Sequence, residues 1–189
     1  MLDAVSGRTL VIVALLIGGA TGVGAQAPAD KAEALAAAAR RGDAAAVSKL
    51  LDEGVDVNTK YRYGVTALSF AADHGRLEVV KVLLARGAEV NTKDTFYGAT
   101  PLMWAASPAQ ARKPEHPEIV RLLLKGGATG IDTALQGAVG SEDVATVKVI
   151  LDHGGVSAGG LTTALEVAKK VEAPEIVKML EAAGAKPKG

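Results

Sequence analysis

Two stretches of this chain lie over each other residue for residue. "RRGDAAAVSKLLDEGVDVNTK" and "DHGRLEVVKVLLARGAEVNTK" match at Gly42 and Gly75, Val47 and Val80, Leu51 and Leu84, Gly54 and Gly87, Asn58 and Asn91, each pair 33 positions apart. Self-similarity at such a period constrains a fold more tightly than composition, because each copy is a small unit that cannot bury its apolar face alone. The stretch from Leu77 to Gly87 has the spacing of an amphipathic helix, with Val79, Val80, Leu83 and Leu84 on one stripe and glycine as the stop. A helix of about ten residues is marginal in water, so these helices require stacking on neighbouring copies.

Three further copies follow. "GATPLMWAA", Gly98 to Ala106, matches "GVTALSFAA", Gly64 to Ala72, and its second helix "PEIVRLLLKGGA" arrives after an insertion, "SPAQARKPEHPE". Then come "TALQGAV" with "VATVKVILDHGG", and "TALEVAKK" with "PEIVKMLEAAGA". The units run approximately 31–63, 64–97, 98–130, 131–158 and 159–185, and the tail 186–189 is expected to be disordered. Thr100 suits a helix cap with Pro101 at the first helical position, and the paired alanines Ala71–Ala72 and Ala105–Ala106 suit close helix approach. The Asn91 position is expected to close the turn that launches the next unit. From Gly54 to Thr66 is 12 steps and from Gly87 to Thr100 is 13, against 6 from Gly127 to Thr133 and 9 from Gly154 to Thr163, so the later connecting fingers are expected to be pruned.

This pattern resembles the ankyrin repeat family, whose unit is a β-turn finger and two antiparallel helices with the mark T-P-L-H-x-A. The resemblance implies an all-α solenoid of stacked helix-turn-helix units with short β-turn fingers, recognising a partner through finger tips and the inner helix surface. Residue by residue, that implies Arg62, Tyr63, Val65, Asp73 and His74 in the second unit, and Phe96, Tyr97, Ala99 and Ser107 in the third. The family's histidine is replaced by Ser69 and Met103, which implies loss of its hydrogen bond between loops and looser fingers.

The aromatic residues reinforce this choice, since all six fall between Tyr61 and Trp104, and Tyr61, Tyr63, Phe96 and Tyr97 sit in the two full-length fingers. Binding hot spots favour large rigid side chains; the competing reading is that these rings only stiffen the fingers. Phe70 and Trp104 share a repeat position expected to point between helices.

The remaining 25 residues at the start read differently. "TLVIVALLIGGA", Thr9 to Ala20, is a 12-residue apolar run followed by small residues, with Val23 and Ala25 placed for a cut before Gln26. Residues 1–25 are expected to be a signal peptide and 26–30 a short linker, so the mature chain would be periplasmic or secreted, with no stable membrane anchor. Gly18, Gly22 and Gly24 mimic a nucleotide-binding turn, but Pro28 stands where the helix should follow.

Charge is balanced at 21 basic and 21 acidic residues, without the basic footprint of a nucleic-acid or anionic-membrane surface. Cysteine is absent, and His74, His116 and His153 form no ligand spacing, so no metal and no cofactor is expected; His116 is read as riding an exposed loop between prolines. No nucleophile or carboxylate motif points to catalysis. The expected function is non-catalytic binding of another protein, as a monomer. The alternative is a small ligand or cell-wall component held beside the insertion, near Arg112, Lys113 and His116.

Overall fold

The computed structural model describes residues 28–188, and the segment read as a signal peptide lies outside them. Ten α-helices occur among the described residues, in five antiparallel pairs: α1 (Pro28–Arg41) with α2 (Ala44–Asp52), α3 (Ala67–Asp73) with α4 (Leu77–Ala85), α5 (Pro101–Ala106) with α6 (His116–Lys125), α7 (Ile131–Gly140) with α8 (Val144–His153), and α9 (Ala158–Lys170) with α10 (Pro174–Ala182). No strand is present among the described residues. The first helix already covers 28–30, inside the stretch read as a linker, with Asp30 favourably placed in its first turn.

The main contacts among the described helices run within a pair or to the next pair. The first helices stack α1, α3, α5, α7, α9 and the second helices stack α2, α4, α6, α8, α10. Two ladders fill the interior: Leu35, Leu68, Leu102, Leu135 and Leu165 from the first helices, and Leu83, Leu123, Ile150 and Leu180 from the second, all fully buried. Ala38, Ala71, Ala105 and Ala138 are also fully buried and let successive first helices approach closely. The short helix questioned by the sequence therefore covers its apolar stripe with the units before and after it.

Caps set the helix starts. The Asp43, Thr66, Thr100, Asp143 and Ser157 side chains accept from the backbone N–H of Ala46, Ser69, Met103, Thr146 and Gly160. In the tight turn within a pair, Gly42 and Gly75 take positive φ, 87° and 65°. The equivalent positions of the last two units carry Glu142 and Glu172, forced to φ 55° and 57°, a conformation that costs a side-chain-bearing residue about 1 kcal/mol.

The long fingers occupy residues 53–66 and 86–100, whereas only 126–130 and 154–157 separate the later pairs. Thr133 and Thr163, which marked the shortened spacing, lie inside α7 and α9. Ser157 caps α9, and its N–H donates to Asp132 Oδ1 at 2.9 Å, joining units four and five. Asn58 and Asn91 also differ from the expected turn closure: each spans to the following unit. Asn58 bonds Gly87 O and Glu89 N–H, and Asn91 bonds Gly127 O and Thr129 N–H. With Thr95 N–H donating to Tyr63 O at 2.7 Å, the fingers are joined without the family's histidine.

Candidate functional site

The first finger ends in a tight hairpin. Tyr61 N–H donates to Val65 O at 2.8 Å and Gly64 N–H donates back to Tyr61 O at 2.9 Å, which requires Tyr63 to adopt a left-handed backbone, φ 61°. The strain is modest and its effect is directional: Tyr63 projects sideways, 46 % exposed, towards the next finger.

The second finger is shaped by Asp94. Its Oδ1 accepts from Phe96 N–H (2.9 Å) and Tyr97 N–H (2.6 Å), and its Oδ2 from Ala99 N–H (3.1 Å) and the Trp104 indole N–H (3.2 Å). One carboxylate, 4 % exposed, thus turns the tip and pins it to α5. The consequence is that Phe96 and Tyr97 stand out into solvent, 62 % and 72 % exposed.

The rings then form one continuous chain. Tyr63 and Phe96 lie 5.4 Å apart between centroids, Phe96 and Tyr97 4.5 Å, and Tyr97 and Trp104 5.9 Å, the last two edge to face. They enclose one wall of a groove of about 290 Å³ between the fingers and the first helices. Val65, Phe70 and Asp73 complete its other side, and Ala109 of the insertion closes one end. The rings pack on one another and yet remain exposed.

Of the residues implied by resemblance, Tyr63, Val65, Asp73, Phe96 and Tyr97 are brought together on this groove. The others are not among its lining residues. Tyr61 is half-buried, packs on Phe70 at 5.8 Å, and donates its hydroxyl to Ala32 O at 2.8 Å. Burial, with a contribution from the Glu33 carboxylate, pushes that phenol up to about 12. Arg62 lies over the Tyr63 ring and bonds its hydroxyl at 2.7 Å. His74 Nδ1 faces Phe70 O at 3.0 Å, Ala99 offers its backbone to Asp94, and Ser107 meets Ser141 at the junction with the fourth unit.

Two expectations are corrected. Phe70 and Trp104 are not enclosed between helices: both are half-buried and line the groove, Phe70 while also packing against the core, and the fully buried neighbours are Ala71 and Ala105. His116 is not on an exposed loop but fully buried at the start of α6. Its Nδ1 meets Lys113 N–H at 2.8 Å and Lys113 O at 3.0 Å, and its Nε2 faces Asp73 O at 3.2 Å. The insertion is tied down at further points: Ala109 N–H donates to Asp73 Oδ1 at 2.7 Å, and Arg112 reaches Asp143 of the fourth unit at 2.5 Å. With His116 enclosed and Arg112 paired, two of the three groups named for a ligand beside the insertion are already occupied.

Asp94, Ser69 and Ala109 were not anticipated as groove residues. Asp94 carried a usable signal, an aspartate two residues ahead of a turn, where its side chain can bond the backbone beyond. No group of three or more His, Cys, Asp or Glu residues suited to a metal occurs among the described residues, and none of their helices is long and apolar enough to cross a membrane.

Comparison with protein families gives two overlapping matches. A model described as "Ankyrin repeats (3 copies)" matches residues 1–94, and one described as "Ankyrin repeats (many copies)" matches residues 68–124. No curated protein matches the chain.

Proposed function

The chain belongs to the ankyrin repeat family, whose domains are generally protein–protein interaction modules and typically non-catalytic, and from that premise we propose that it binds another protein through the groove between its two long fingers. The observation that carries the reading is the exposed ring chain of Tyr63, Phe96 and Tyr97. Large apolar side chains left in solvent on a braced surface are the type of residue that supplies most binding energy at protein interfaces. Val65 and Asp73 belong to the same contact surface, and Arg62 extends it by holding the Tyr63 ring. Units four and five, with their short connections, support the patch from one side.

The proposed setting is the periplasm or the extracellular space, resting on the apolar run Thr9–Ala20 and the small residues before Gln26. The partner is accordingly sought in the cell envelope or culture fluid. Tyr63→Ala and Tyr97→Ala are each expected to weaken partner binding by more than about 1 kcal/mol while circular dichroism and melting temperature stay close to wild type. Affinity capture with the wild-type chain and both variants tests this. A partner retained equally by all three would remove the groove from the reading.

A small-ligand reading survives in one form. The groove has the size of a single side chain or small molecule and is lined by Ala109 of the insertion, so a soluble ligand would enter the same place. It would raise the melting temperature with its concentration.

A further inference from the structure

The groove is apolar along its walls and acidic at its base. Asp73 and Asp94 both line it while remaining 9 % and 4 % exposed. Asp94 is satisfied by N–H donors alone, and Asp73 by the Ala109 N–H with His74 Nδ1 3.4 Å from its other oxygen. Among the described residues no lysine or arginine pairs with either carboxylate. Negative charge in a poorly solvated recess attracts a positive guest more strongly than the same charge in water would.

The rings add to that attraction, because an aromatic face is the negative end of a quadrupole. The protein's own side chains already use two of these rings as cation seats: Arg40 Cζ lies 3.7 Å over Phe70 and Arg62 Cζ 4.6 Å over Tyr63. Neither arginine lines the groove, so the seat beside the two carboxylates is left to an outside group. A purely apolar guest would seal both carboxylates away from water with no counter-charge, at a desolvation cost. The volume of about 290 Å³ suits one long side chain and excludes a helix.

We propose that the groove receives the side chain of a lysine or arginine from an extended segment of a protein partner, its methylene stem against Tyr63, Phe96, Tyr97 and Trp104 and its charge towards Asp73 and Asp94. This rests on the protein-binding reading and specifies the chemistry of the contact.

Trp104 is the sole tryptophan of the chain and lines the groove, so its fluorescence reports occupancy directly. The probe is the capped peptide acetyl-Gly-Gly-Lys-Gly-Gly-amide, titrated into the millimolar range beside its norleucine counterpart, which keeps the stem and lacks the charge. The lysine peptide is expected to give a saturable change, the norleucine peptide to bind at least roughly five-fold more weakly, and added salt to weaken only the former. Asp73→Asn, which keeps the oxygen facing Ala109, is expected to weaken the lysine peptide by a similar factor and leave the norleucine peptide unaffected. Equal binding of the two peptides, or no response to lysine, overturns the proposal, and this comparison on the wild-type chain decides even where the variant folds poorly. A captured partner lost on Tyr97→Ala yet not competed by the lysine peptide would preserve the proposed function and sink this inference alone.

Discussion

Tyr61 and Tyr63, two positions apart, show how far a residue's role departs from its type. Both read as exposed finger aromatics, but the hairpin turns Tyr63 outwards and Tyr61 inwards onto Phe70. Extended backbone would put positions two apart on the same face; the left-handed turn at Tyr63 separates them, and that turn depends on how the finger closes. The inward placement has a measurable consequence. The Tyr61 hydroxyl sits near 12 in the folded chain against about 10 when unfolded, so folding disfavours the phenolate. Its stabilising contribution is complete below about pH 10 and is lost as pH rises towards about 12. Urea midpoints measured at about pH 9 and about pH 11.5 should fall more in wild type than in Tyr61→Phe, and equal falls would refute the assignment. A second residue-scale prediction concerns the eroded turns. Glu172, at φ 57°, occupies the place that glycine holds in the first two units. Glu172→Gly should raise unfolding free energy by about 0.5–1 kcal/mol in chemical denaturation, since relief of left-handed strain exceeds the entropy glycine adds to the unfolded chain.

The insertion between α5 and α6 is the element whose behaviour was least legible. Its length was plain from the repeat register, and its prolines and charges suggested a solvated loop. What they could not reveal is that His116 reaches back to the end of α3 and Arg112 forward to Asp143, so the loop staples three consecutive units. His116→Leu should cost roughly 2–3 kcal/mol, because it leaves the Lys113 N–H and Asp73 carbonyl without partners at a buried site. Arg112→Ala should cost about 1–3 kcal/mol, because the Asp143 Oδ2 it faces is buried and has no hydrogen-bond partner to replace it. Hydrogen exchange at the Ala109 amide should accelerate in the histidine variant, and unchanged protection there would show that the loop is held by other means. The fingers make the same point: their lengths followed from glycine-to-threonine spacing, while the Asp94 knot that orients Phe96 and Tyr97 required the three-dimensional path.

Across the whole molecule, stability is expected to pass from unit to unit through the leucine ladder. Leu102 stands in the central unit, buried between Leu68 and Leu135, so Leu102→Ala should cost about 2–5 kcal/mol. It should also weaken coupling between the two halves, broadening or splitting the unfolding transition, whereas Leu35→Ala in the first unit should lower stability and leave one transition. A single sharp transition in both variants would contradict the nearest-neighbour account. The repeat period, the helix stops, the unit count and the apolar ladders were all determined by the sequence alone, because each depends on residues within one unit or on their recurrence in the next. The groove was decided only by the tertiary structure. Its walls come from two fingers, two helices and an insertion, and whether an aromatic ring at a shared repeat position is buried or presented depends on how those segments meet, which a periodicity along the chain does not encode.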